Sequence, residues 1–173
     1  MVCCNLTPLQ KQLYEHFLSS KAARAALNGK QSKVLGAITA LRKLVNHPKL
    51  IHDMLNQRGK EGQDDPVAGF EDCGSFFPEG LFDSGNGKPA SGWESSSGKF
   101  HALINLLEYL RRNTTDRVVV VSNFTQTLDL VALACKEHGW PNVRLDGMRS
   151  NLALAICTTA EDLLISSCAG FLL

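Results

Sequence analysis

Four consecutive valines, Val118–Val121, set the hardest constraint on this chain. β-branched side chains are stiff and suit the pleated backbone better than a helix. A run without polar alternation fits a strand buried on both faces, as in a parallel sheet. Such a strand needs crossover helices. Phe100, Leu103, Ile104, Leu107 and Leu110 mark one amphipathic helix, over about 99–112. Leu128, Val131, Ala132 and Cys135 mark another, ended by His138-Gly139, and Asn142-Val143-Arg144-Leu145 reads as a second short strand. Helix, strand, helix, strand opens an α/β unit, incomplete with two strands.

The N-terminal part reads as helical. Thr7-Pro8-Leu9-Gln10 is a capping box with Pro at the first helical position. Leu9, Leu13 and Phe17 follow at helical spacing, and Ala22–Leu27 continues or restarts the helix up to Asn28-Gly29. A second helix is expected over about 33–45, with Val34, Ile38, Leu41 and Val45 as its apolar face, broadened by Leu44. Asn46-His47-Pro48 stops it. His47 reads as a packed or hydrogen-bonded histidine rather than a ligand.

Residues 56–98 hold nine of the fourteen Gly and three of the six Pro, and no helical or strand period survives there. The expectation is a long acidic loop, with Phe70, Phe76, Phe77, Leu81 and Phe82 able to tack it onto a surface. The last 26 residues, 148–173, carry 16 apolar ones in a loose helical pattern without caps.

Charge is unevenly spread. Residues 1–52 carry eight Lys/Arg against one acid, a net of +7, and residues 53–97 carry three against nine, a net of −6. A basic head with Lys30, Lys33, Arg42, Lys43 and Lys49 suits a polyanion, or is a solvated helix face. No run is long and apolar enough for a membrane span, so no membrane partner is expected. The start lacks the pattern of a secretory signal. Six Cys without a C-x-x-C argue for reduced thiols and against a zinc site. No spacing supports a Ser/His/Asp, Cys/His or paired-carboxylate arrangement.

Four stretches in order carry a resemblance. They are Leu6-Thr7-Pro8-Leu9-Gln10 with Tyr14; Leu41-Arg42-Lys43-Leu44-Val45-Asn46-His47-Pro48; Ser97-Gly98-Lys99; and Val118–Asp129 followed by Val143-Arg144-Leu145-Asp146-Gly147. Together they resemble the Swi/Snf group of helicase-like superfamily-two ATPases. The wording is similar to that of the recombination-repair DNA translocases that assist the strand-exchange recombinase. The resemblance implies an α/β fold class: an incomplete RecA-like C-terminal helicase lobe preceded by a helical segment. It divides the chain into a helical inter-lobe segment (1–55), an acidic Gly-rich loop (56–97), the start of the second lobe (98–147) and a divergent apolar tail (148–173). It further implies a nuclear role in homologous recombination, DNA repair and chromatin handling, with the backbone of double-stranded DNA as partner and the recombinase as a possible second one.

After Gly147 the family pattern stops. Ser166-Ser167-Cys168-Ala169-Gly170 only faintly echoes the family's Gly-rich motif. The expectation is a truncated product. ATP and magnesium serve the full-length family, but no cofactor is expected here. There is no G-x-x-x-x-G-K-[ST] loop, no acidic magnesium box and no arginine-finger segment. Ser97-Gly98-Lys99 lacks the strand and upstream glycine of a phosphate loop and reads as a helix cap.

No catalytic or metal-binding residue is expected. The candidates are DNA contacts. Where the valine strand ends, Ser122, Asn123, Thr125 and Gln126 precede a helix, whose free N–H groups favour phosphate. In the family this turn lies on the DNA backbone; plain capping by Thr125, with Phe124 in the core, is the other reading. Arg144 is a backbone contact or a salt-bridge partner of Asp146 or another acid. Gly147 permits a tight turn. Arg42 and Lys43 are the candidates from the basic head. Two functions stand: a piece of an ATP-dependent DNA translocase, inactive as an ATPase alone, or a non-enzymatic helical module that binds DNA or a protein through its basic head.

Overall fold

The structure is a computed structural model that describes residues 1–28, 31–56, 69–82, 89–145 and 163–167. The chain forms two compact units, Met1–Ala102 and Leu103–Leu173.

The first unit contains α1 (Pro8–Ser19), α2 (Lys21–Leu27), α3 (Gln31–Asn46) and α4 (Pro48–Asn56), and ends within the first turns of α5 (Gly98–Asn113). α1 starts where its capping box demands. The Gln10 N–H bonds the Thr7 hydroxyl at 3.3 Å, and the Thr7 N–H returns to Gln10 Oε1 at 3.1 Å. Ser20 ends α1 and caps α2 by accepting the Ala23 N–H.

α3 is where the sequence expected it, but its buried face differs. Ala37, Ala40 and Leu44 are buried, whereas Ile38 and Val45 are exposed. α3 packs against both α2 and α4, and small side chains let these helices approach closely. The helix stop at Asn46-His47-Pro48 is also a helix start. Pro48 is the first residue of α4, and His47 Nδ1 accepts the Lys49 N–H at 3.1 Å. Pro at that position signals a helix start, and Leu50, Ile51 and Met54 supply the buried face.

The acidic stretch is not a surface linker where it is described. Phe70, Cys73, Phe77, Phe82 and Trp93 are all buried. Two short 3-10 helices, Cys73–Phe76 and Trp93–Ser96, begin with the buried Cys73 and Trp93. Phe70 stacks on Phe17 of α1, with ring centroids 5.1 Å apart. Gly69, at φ 95°, packs so closely that a Cβ would lie 2.7 Å from the Phe17 ring. Phe82, Trp93 and Phe100 each meet the His47 ring edge-on, at 5.8, 5.1 and 5.2 Å. Aromatic burial without periodicity thus completes the core of this unit.

The second unit holds the rest of α5, then β1 (Val119–Ser122), α6 (Thr125–Glu137), β2 (Asn142–Leu145) and β3 (Leu163–Ser167). The tail, expected as a divergent apolar segment with a loose helical pattern, instead supplies a strand, because its Leu163–Ser167 pairs with β1 and β2. The order is β1-β3-β2, with β3 parallel to both neighbours. Val120 and Arg144 both pair with Ile165. α6 packs on all three strands and buries Leu128, Leu130, Val131, Ala134 and Cys135. β1 is not buried on both faces: Val119 and Val121 are 55% and 54% exposed, while Val118 and Val120 are half-buried. α6 covers one side of β1 and leaves the other open.

Candidate nucleic-acid interface

The turn between β1 and α6 carries most of the candidate residues. Ser122 shapes it: its hydroxyl accepts the Phe124 N–H at 3.2 Å and donates to the Phe124 carbonyl at 3.3 Å. Phe124, half-buried, takes the N-cap position, and no side chain caps the helix there. Thr125 is the first helical residue rather than the cap. Asn123, Thr125 and Gln126 are all exposed. The structure thus brings together an uncapped helix start and three exposed hydrogen-bonding side chains. Helix N-terminal N–H groups and the positive end of the helix dipole favour an anion at such a place.

Arg144 is on the α6-covered side of the sheet. Its guanidinium forms an ion pair with Asp129 of α6. This is the salt-bridge alternative, with Asp129 rather than Asp146 as the acid. Asp146 and Gly147 lie outside the described residues, as do Gly29 and Lys30; the Lys33 side chain is not described either.

Two of the described lysines of the basic head, Lys43 and Lys49, are engaged within it. Lys43, expected as a surface contact, is half-buried, its Nζ 3.4 Å from Met54 Sδ of α4, and burial holds its pKa below the usual lysine value. Lys49 pairs with Asp53 at 2.7 Å and lies over the Phe82 ring. Burial pushes the Asp53 carboxyl up, but the hydrogen bonds and charges of His52 and Lys49 outweigh it and hold the group below its usual pKa. Arg42 is exposed.

His47 is fully buried among Phe82, Trp93 and Phe100. Burial lowers its pKa from 6.5 to about 3; the Trp93 backbone works against the shift, Lys49 adds to it, and Asp53 opposes it. A neutral ring accepting at Nδ1 carries its proton on Nε2. Burial, with Glu71 and Asp72 nearby, pushes the Cys73 thiol up to about 11. Among the described residues no group of three metal-type ligands converges, and no helix is long and apolar enough to cross a membrane.

The start of α5 does not fit a nucleotide phosphate. Ser97 caps it, accepting the Phe100 N–H at 3.2 Å and donating to the Asn46 carbonyl at 2.8 Å. The Gly98 N–H points to Gln10 Oε1 at 3.4 Å, and a Cβ on Gly98 would lie 2.0 Å from the Asn5 carbonyl oxygen. Lys99 Nζ is held by Asn46 Oδ1 at 2.7 Å. Gln10 was legible only as a cap. Its second role, donating through Nε2 to the carbonyls of Leu44 and Val45, has no sequence signal.

No protein-family model matches the chain. It is 52% identical over 152 residues to the Arabidopsis thaliana protein CHROMATIN REMODELING 25, a match that covers 85% of this chain and 16% of that protein. It is 49% identical over 155 residues to the rice DNA repair and recombination protein RAD54, covering 87% of this chain and 15% of that protein. The chain thus spans less than a fifth of the length of either relative. Its fold matches the C-terminal part of the Fun30 ATPase domain with a TM-score of 0.63 at 20% identity, over 96% of this chain and 67% of that one. It also matches a Sulfolobus solfataricus SWI2/SNF2 ATPase core solved in complex with double-stranded DNA, with a TM-score of 0.51 at 16% identity, over 97% of this chain and 30% of that one. The chain is a relative of the RAD54-type DNA repair and recombination proteins and has the fold of the C-terminal part of SWI2/SNF2 ATPase domains.

Proposed function

We propose that this chain is the inter-lobe and second-lobe part of a nuclear, RAD54-type DNA translocase of homologous recombination, and that it touches the backbone of duplex DNA through the β1–α6 turn. The observation that carries the reading is the helix start without a side-chain cap, with Asn123, Thr125 and Gln126 exposed around it. Ser122 holds the turn in shape. Phosphate contacts of this kind position a protein and read no sequence. The fold match to an ATPase core solved with double-stranded DNA supports duplex DNA as the partner. Arg144, engaged by Asp129, contributes through the rigidity of the sheet and helix.

ATP and magnesium belong to the whole translocase. Hydrolysis needs a phosphate cradle, a carboxylate for magnesium and a finger arginine. The one glycine-lysine helix start described here is filled by Asn5 and Gln10, so no step of hydrolysis is assigned to this chain. The strand-exchange recombinase is the protein partner the reading implies.

A titration of two fluorescent duplexes of unrelated sequence tests the proposal. Both should bind at the non-specific level, roughly 10⁻⁴–10⁻⁶ M, with affinity falling as salt rises. A clear preference for one sequence, or binding indifferent to salt, would overturn it.

A further inference from the structure

The outward face of α3 is apolar in register. Between Val34 and Asn46 the exposed positions are Leu35, Gly36, Ile38, Arg42 and Val45. Leu35 is 68% exposed, Ile38 41% and Val45 44%. The solvent face of a surface helix ordinarily carries polar residues. The buried side of α3, with Ala37, Ala40 and Leu44, points elsewhere, so the exposed stripe is not a margin of that core. Leu35, Ile38, Arg42 and Val45 follow one another at intervals of three, four and three, the a/d seam of paired helices. A charge at such a seam position selects the partner.

We propose that this stripe is a docking surface for an amphipathic helix of a partner protein, which lays apolar residues on Leu35, Ile38 and Val45 and sets a carboxylate against Arg42. A second copy fits poorly. Parallel pairing would place Arg42 on Arg42, antiparallel pairing would place it on Ile38, and the stripe contains no acid. The exposed Arg42 on the stripe favours an acidic helix over a basic one. A phosphate backbone gains nothing from three aliphatic side chains around one arginine, and the neighbouring Lys43 turns toward Met54 instead. This inference rests on the first unit, and the DNA reading on the second, so each can fail alone.

The test uses the full chain and two designed helical peptides of about three heptads, with Leu and Ile at the seam and either Glu or Lys facing Arg42. Fluorescence anisotropy should show saturable binding of the Glu peptide and binding of the Lys peptide weaker by about threefold or more. In Arg42→Glu that preference should reverse, which a misfolded chain cannot do. Ile38→Lys should weaken both peptides by roughly tenfold or more, the loss of one buried aliphatic contact. No binding of either peptide, or a preference unchanged in Arg42→Glu, overturns the proposal. So does sedimentation showing a dimer that Ile38→Lys dissolves. Loss of duplex binding in Arg42→Glu with peptide preference unaltered would place Arg42 on DNA and overturn it equally.

Discussion

The side-chain amide of Gln10, in the first turn of α1, donates to the carbonyl of Leu44, near the end of α3, at 2.9 Å. Its oxygen meanwhile faces the N–H groups of Thr7 and Gly98. One buried amide therefore ties the start of α1, the end of α3 and the start of α5. Thr7 adds to the knot by donating its hydroxyl to the Ser96 carbonyl at 2.7 Å. Gln10→Leu keeps roughly the volume and removes every bond the side chain makes. It should cost about 2–3 kcal/mol, the sum of a lost cap and stranded polar groups. Urea unfolding checks this, and a change within about 0.5 kcal/mol, ordinary for a surface site, would refute it.

The described parts of the acidic stretch make a second prediction. Phe70 and Trp93 are core residues of the first unit. Phe70→Ala or Trp93→Ala should each cost about 3–5 kcal/mol. Deleting 56–96 should unfold the unit. Circular dichroism of the deletion checks this; retained helicity with a cooperative melt would show that the aromatic wrap is dispensable.

His47 gives stability a definite pH dependence. Its folded pKa, about 3, lies below its ordinary value of 6.5, so the folded state holds the neutral ring. The stabilisation is complete above pH 6.5 and is lost as pH falls toward 3, because the unfolded chain binds the proton first. The depressed pKa of Asp53 acts in the same direction, but only at lower pH, below its ordinary 3.8. Between these values the slope belongs chiefly to His47. Denaturant midpoints across that window should fall with pH in the wild type and less steeply in His47→Phe. Equal slopes in both would remove His47 as the source.

Some of this was legible and some was not, for physical reasons. The capping box at Thr7 and Gln10 is local, so four residues sufficed to find it. The face of α3 was misplaced because Ile38 and Val45 outrank Ala37 and Ala40 in hydrophobicity, yet close helix packing selects the small ones. α4 was hidden because Pro48 reads as a stop as readily as a start. Phe70 reaches the core from a segment without regular structure and Trp93 from a four-residue 3-10 turn, neither of which has a period to detect. β3 pairs over long range with β1 and β2, and its own five residues carry no turn signals to announce it. The β1–α6 turn was found at its place, but Thr125 proved to be helical and Phe124 the cap.

Arg144 and Asp129 make a fourth prediction. Asp129 is mostly exposed, so their ion pair is partly screened by solvent. Asp129→Asn should cost no more than about 1 kcal/mol. If Arg144 acts through the sheet rather than on DNA, Arg144→Gln should leave the salt dependence of duplex binding unchanged. A slope shallower by about one unit would instead show a direct phosphate contact.

The central claim is that the β1–α6 turn lies on DNA phosphates. The most direct measurement is duplex affinity of the wild type against the double variant Asn123→Asp, Gln126→Glu, at one fixed salt concentration. Both substitutions sit on exposed positions and bring carboxylates to a helix start, where they favour the helix itself. The fold should therefore hold or gain, while each new charge repels the backbone. The account predicts affinity weaker by roughly tenfold, the size expected of two like charges a few ångströms from phosphate in water. Equal affinity in both proteins, with equal thermal stability, would contradict it.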